Sequence, residues 1–168
     1  MRWDRLFADL EGQAADVELE ERDVLVHELR DGAWAETSWR ELVGGRVVLD
    51  VAGAGRLAGD VRLVNDRIVH LAAGRVEHVV AGAAVLEVVG SDGRAPEPTA
   101  VTSRLGWGHV FRAARDDGDR VVLTRTDGVT ADGGVDVVGQ DFVTVATDGG
   151  RSRTVPFAAL AAATFTAT

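Results

Sequence analysis

The feature that most constrains this chain is a repeat within it. Residues 46–71 and 120–145 align without a gap at an offset of 74. Arg46-Val47-Val48-Leu49 recurs as Arg120-Val121-Val122-Leu123, Gly59 falls on Gly133, Val61 on Val135, Val64 on Val138 and Val69 on Val143. After one extra residue in the second copy, residues 78–89 fall on residues 153–164. A unit of roughly 45 residues is too long for one solenoid strand and suits a small five-stranded barrel.

Each copy reads as strands. Val47, Leu49 and Val51 alternate with polar or small neighbours, the period of a half-buried strand. Ala-Gly-Ala-Gly at 52–55 and Thr-Asp-Gly at 126–128 supply hairpin turns. Second strands are predicted over Leu57–Val64 and Ala131–Val138, each with an internal glycine, Gly59 and Gly133, that marks a bend. Third strands follow over Ile68–Leu71 and Phe142–Val145, and fourth strands over Val76–Val80 and Arg151–Val155. A short turn then leads to last strands over Val85–Val89 and Ala161–Thr166. A helix is predicted ahead of each unit. Ser38-Trp39-Arg40-Glu41 has capping-box spacing with Gly44 as a stop, and Thr102-Ser103 can cap a helix that runs to Gly118.

The order of helix, five bent strands and a turn before the last strand carries a resemblance. The pattern of Gly45-Arg46-Val47-Val48-Leu49, the spaced valines and Val155-Pro156-Phe157 resembles an Sm-like barrel, and Gly133–Leu160 matches better than the first copy. The whole chain is also similar to a group of actinobacterial proteins. Those open on a helix like Trp3–Glu11 and end near a segment like Val155–Leu160. The lack of lysine and the abundance of Ala, Gly, Val and Asp agree with a high-GC genome. The expected class is therefore mainly β with a helical N-terminus (α+β). It comprises two tandem Sm-like or SH3-like five-stranded barrels, each preceded by a helix. The expected divisions are 1–36 for an acidic helical segment, 37–90 for the first barrel with its helix, 91–101 for a linker and 102–168 for the second barrel with its helix.

The resemblance also implies where RNA contacts would lie, in the turns between second and third strands. These are Asn65, Asp66, Arg67 and His70 in the first copy and Gln140, Asp141 and Thr144 in the second. The simpler account is that Asp66 and Asp141 cap those turns. RNA binding would also need Arg46, Arg62, Arg67, Arg75, Arg151 and Arg153 to share one face.

Charge argues against strong phosphate binding. The net charge is −9, and residues 1–45 hold 5 arginines against 12 acids, so the acidity belongs to the N-terminal segment. RNA binding is thus expected to be weak, and binding to duplex DNA is not expected. In the same segment Trp3, Leu6, Phe7, Leu10, Ala14 and Val17 form one apolar stripe at helical spacing. Trp3, Leu6, Phe7 and Leu10 are the candidates for docking a partner, although packing on the chain itself or on a second copy is the simpler account.

Catalysis has no constellation to rest on. There is no cysteine, and His27, His70, His78 and His109 show no metal-ligand spacing. No nucleophile elbow or dinucleotide loop is present. No run of about 18 apolar residues occurs, and residues 1–13 carry charges where a signal peptide needs an apolar core. The expectation is a cytoplasmic, non-catalytic binding or scaffolding protein without cofactor or metal. It would act through self-association, as a homodimer or higher, and through contacts with a protein partner. An RNA-binding regulator is the alternative, and an enzyme of unknown class a distant third.

Overall fold

The computed structural model describes residues 22 and 24–166. The chain divides into two compact units, Met1–Ser38 and Trp39–Thr168. In the first unit, residues 24–36 are helical (α1), and Thr37 Oγ1 donates to Ala33 O at 2.8 Å to close the last turn. Val24, Leu25, Leu29 and Trp34 on this helix are exposed. The docking candidates Trp3, Leu6, Phe7 and Leu10 lie outside the described residues.

The second unit holds ten strands. The first five are β1 (Arg46–Val51), β2 (Gly55–Val64), β3 (Ile68–Ala73), β4 (Val76–Ala81) and β5 (Val85–Val89). The second five are β6 (Arg120–Arg125), β7 (Thr130–Val138), β8 (Phe142–Ala146), β9 (Ser152–Pro156) and β10 (Leu160–Thr166). All ten join one antiparallel sheet in the order β5-β1-β2-β3-β4-β10-β6-β7-β8-β9.

This corrects the expected architecture. The chain does not form two closed five-stranded barrels, Sm-like or SH3-like, but one open sheet. Closing each half on itself would need its outer strands to meet, β4 with β5 and β9 with β10. Instead β10 crosses to the first half and pairs with β4, Ala162 opposite Val80 and Thr164 opposite His78. That leaves β5 and β9 as the two ends of the sheet. The physical reason lies in what alternation encodes. Period-2 patterning assigns a side chain to a face of a strand, but leaves open which strand takes its edge.

Within the halves the register does follow the offset seen in sequence. Val47 faces Gly59 in β1–β2 as Val121 faces Gly133 in β6–β7. A bulge falls between Val61 and Leu63 in β2 and between Val135 and Val137 in β7. Another interrupts the β1–β5 pairing at Asp50/Val51 and the β10–β6 pairing at Leu160/Ala162. Gly133 sits where β7 passes close to the end of β8. A Cβ there would lie 2.2 Å from Ala146 O, so no larger residue fits without moving backbone.

The core takes Val47, Leu49 and Val51 from β1, Val69 and Leu71 from β3, Val121 and Leu123 from β6, and Val143 and Val145 from β8. Strand β10 is covered on both faces, since Leu160, Ala161, Ala162 and Ala163 are all buried.

The leading helices differ from expectation. Ahead of β1 there is one turn of 3-10 helix, Trp39–Leu42, because Val43 must be buried and Gly44-Gly45 turn the chain into β1. Ahead of β6 the helix starts later than Thr102. Thr102–Arg104 is a 3-10 turn, Leu105 and Gly106 are extended, and the α-helix α2 spans Trp107–Asp117. Gly118 ends it in the left-handed conformation, at φ 74°.

Candidate functional site

The turn between β2 and β3 was the first place to expect a ligand. Asn65 is buried there, and both its side-chain amide oxygen and nitrogen are bonded within the chain. Its Oδ1 accepts from Arg67 N at 2.9 Å and Ile68 N at 3.0 Å, an Asx turn that joins the two strands. Its Nδ2 donates to Thr102 O and to Leu105 O, both at 2.9 Å. One side chain thus ties the β2–β3 turn to the segment that leads into α2. Arg67 points the same way, with Nη1 donating to Arg104 O at 3.4 Å. Asp66 is exposed, and its backbone oxygen accepts from Arg40 Nη2 at 3.5 Å. His70 faces Glu77 on the next strand at 3.2 Å.

The equivalent turn between β7 and β8 has no such clamp. Gly139 occupies the position of Asn65, and its N–H donates to Phe142 O at 2.9 Å. Gln140 and Asp141 are exposed, and Asp141 O accepts from Phe157 N. Thr144 is buried, with its Oγ1 2.9 Å from Thr154 Oγ1. The seven residues the resemblance brought forward therefore lie at two separate turns and on the strands that follow them, His70 on β3 and Thr144 on β8. Asn65 and Thr144 are buried and bonded within the fold, Arg67 and His70 make their contacts at its surface, and Asp66, Gln140 and Asp141 are exposed.

Sequence reasoning expected self-association through strand edges without saying which strands form them, and it left the β4–β10 junction undescribed. At the junction, His78 Nδ1 lies 3.0 Å from Thr164 Oγ1, and burial lowers the imidazole pKa below the usual histidine value. The neutral ring is therefore the form the fold prefers. Unfolded chains take up the proton first as pH falls, so stability is fully present above about pH 6.5 and declines below it. We expect urea midpoints to drop between about pH 7.5 and 5.5, and the drop to shrink in His78→Gln. An equal drop in the variant would show that other groups set the dependence.

The ends of the sheet are the offset counterparts of the junction strands: β5 corresponds to β10 and β9 to β4. Their residues differ as an edge differs from a centre. Where β10 has Ala161, Ala162 and Ala163, all buried, β5 has Leu86, Glu87 and Val88, of which Leu86 is 69% exposed. Where β4 has Val79, Val80 and Ala81, β9 has Thr154, Val155 and Pro156. Phe157 N bonds inward to Asp141 O, so by alternation of the ladder the Pro156 nitrogen faces the open edge, where no donor is needed. The contrast of three alanines with Leu-Glu-Val was visible in the repeat alignment, and it separates a central strand from an outer one.

No family model matches the chain, and no curated protein matches it. Among the described residues, no group of three or more His, Cys, Asp or Glu is placed to hold a metal ion. No helix among them is long and apolar enough to cross a membrane.

Proposed function

We propose that this protein is a non-catalytic scaffold that associates with further copies of itself, β9 of one copy pairing with β5 of the next. The observation that supports this reading is the β4–β10 junction, in which the chain pairs two strands of these same two kinds. Carrying that register over by the repeat offset places Glu87 opposite Val155 and Val89 opposite Arg153. Glu87 and Arg153 then become diagonal neighbours on one face with opposite charges. An unpaired edge with exposed Leu86 and Val89 also needs cover, and a second strand supplies it. The contact is head-to-tail, so it grows into a closed ring or an open filament according to the angle between copies. RNA reading has less support, since Asn65 and Thr144, two of the residues expected to carry it, are buried and bonded within the chain.

Light scattering at several concentrations tests this. The expected result is a mass above that of one chain, rising with concentration. Arg153→Glu and Glu87→Arg should each lower it toward a single chain, and the double exchange should restore it, with circular dichroism unchanged throughout. A single-chain mass for the native protein at every concentration would overturn the proposal, as would single variants that still associate.

A further inference from the structure

Helix α2 packs on β7 and β8, and its other side, with Leu105 before it and Asp119 after it, forms one wall of a groove of about 320 Å³ whose opposite wall comes from β2, β3, β4 and β10. Its floor is apolar, with Ile68, Val79 and Phe165 all buried. Its rim carries three carboxylates, Glu77 from β4, Asp117 from the end of α2 and Asp119 from the turn after it. No arginine lines it, and its basic groups are two imidazoles, His70, which faces Glu77, and His109 from α2. Among the described residues, the carboxylates of Asp117 and Asp119 have no ion pair or hydrogen bond, although Asp119 is half-buried. Glu77 has only the His70 imidazole, at 3.2 Å.

An apolar floor under an anionic rim selects by charge and by surface at once. Anions are repelled by the carboxylates, and a hydrated inorganic cation gains nothing from Ile68, Val79 and Phe165. A neutral apolar molecule leaves the half-buried Asp119 uncompensated. We infer that this groove binds a small organic cation, an ammonium carried on one ring or a short hydrocarbon body. The volume, at the low end of the range of about 300–1,000 Å³ usual for small-molecule sites, limits the body to that size. The hydrocarbon covers the floor, and the ammonium donates to the acceptors of the rim. The site owes its shape to the Asn65 clamp, which fixes the segment before α2, and it is independent of the sheet edges that support self-association.

The probe is phenethylamine, compared with phenethyl alcohol and hydrocinnamate as neutral and anionic partners of similar shape. Each is titrated into the full-length protein and followed by amide chemical shifts. We expect phenethylamine to shift the amides of Ile68, Val79 and Val110 to saturation, and added salt to weaken it. The alcohol should bind at least about tenfold more weakly, and the carboxylate should not bind. The double variant Asp117→Asn/Asp119→Asn should lose at least about tenfold in affinity for the amine alone. Ala113→Trp, which fills the groove from the exposed side of α2, should abolish binding while the melting temperature holds. No saturable shift with phenethylamine, equal binding of the alcohol, or undiminished binding in the double Asn variant would each overturn the inference.

Discussion

Asn65→Ala is expected to destabilise the fold by about 2–4 kcal/mol, far more than loss of a turn residue usually costs. The side chain makes four hydrogen bonds from a buried position, two as acceptor and two as donor. Alanine leaves the Arg67 and Ile68 N–H groups and the Thr102 and Leu105 carbonyls without these partners. Water can reach some of them but not the buried Ile68 amide. Asn65→Asp separates the two jobs. It keeps an acceptor for the turn but sets a carboxylate oxygen against two carbonyl oxygens, so the clamp on the α2 segment is lost while the turn survives. Urea unfolding with an unchanged m-value measures both variants. A loss below about 0.5 kcal/mol for Asn65→Ala would mean that the side chain is spare, and would return it to the ligand contacts expected from sequence.

That residue shows where the sequence was legible and where it was not. The strands were legible. The fifth strand, Val85–Val89, has the bounds read from alternation, and the second, third and fourth differ by one or two residues at their ends. A capped turn between the second and third strands was legible too, but the cap was expected from Asp66, and Asn65, one residue earlier, supplies it. Its donor side was not, since Thr102 and Leu105 lie 37 and 40 residues further on, and a single chain carries no sign of that distance. The same holds for the sheet. Residues opposite each other within a half follow from hairpin turns, which are local. The pairing of β4 with β10 spans 86 residues at His78 and Thr164 and depends on which free edge is nearer in the folded unit. The Ala161-Ala162-Ala163 run was the one local trace of it. A strand with small side chains on both faces belongs where both faces are covered, and Leu86-Glu87-Val88 belongs at a rim. The groove was not legible at all. Its carboxylates come from a strand, a helix end and a turn, which share no spacing, and only the lie of α2 joins them.

Phe111→Ala is expected to cost more still, about 3–5 kcal/mol. Phe111 is fully buried on the inner face of α2 and sits among three other rings. Trp107 stacks on it at 5.5 Å with 13° between planes, Phe157 lies at 5.9 Å and 25°, and Phe165 at 6.3 Å and 51°. These come from three different places: the start of α2, the turn after β9 and the strand β10 that joins the halves. Removing the ring therefore opens a cavity where helix, turn and junction meet. The neighbours cannot all collapse into it, because Phe165 is held in register opposite Glu77 and Val121. Phe111→Leu keeps most of the volume and loses only the ring contacts, about 0.5–1.5 kcal/mol for each aromatic pair at most. Near-ultraviolet circular dichroism should lose intensity in the alanine variant and keep most of it in the leucine variant, alongside the denaturation midpoints. Because Phe165 and Ala114 also form part of the groove, the alanine variant should weaken phenethylamine binding, whereas the leucine variant should bind nearly as the native chain. An alanine variant within about 1 kcal/mol of the native protein would show that the aromatic cluster does not hold α2 in place. The groove and the clamp at Asn65 would then need another anchor for the helix that forms their wall.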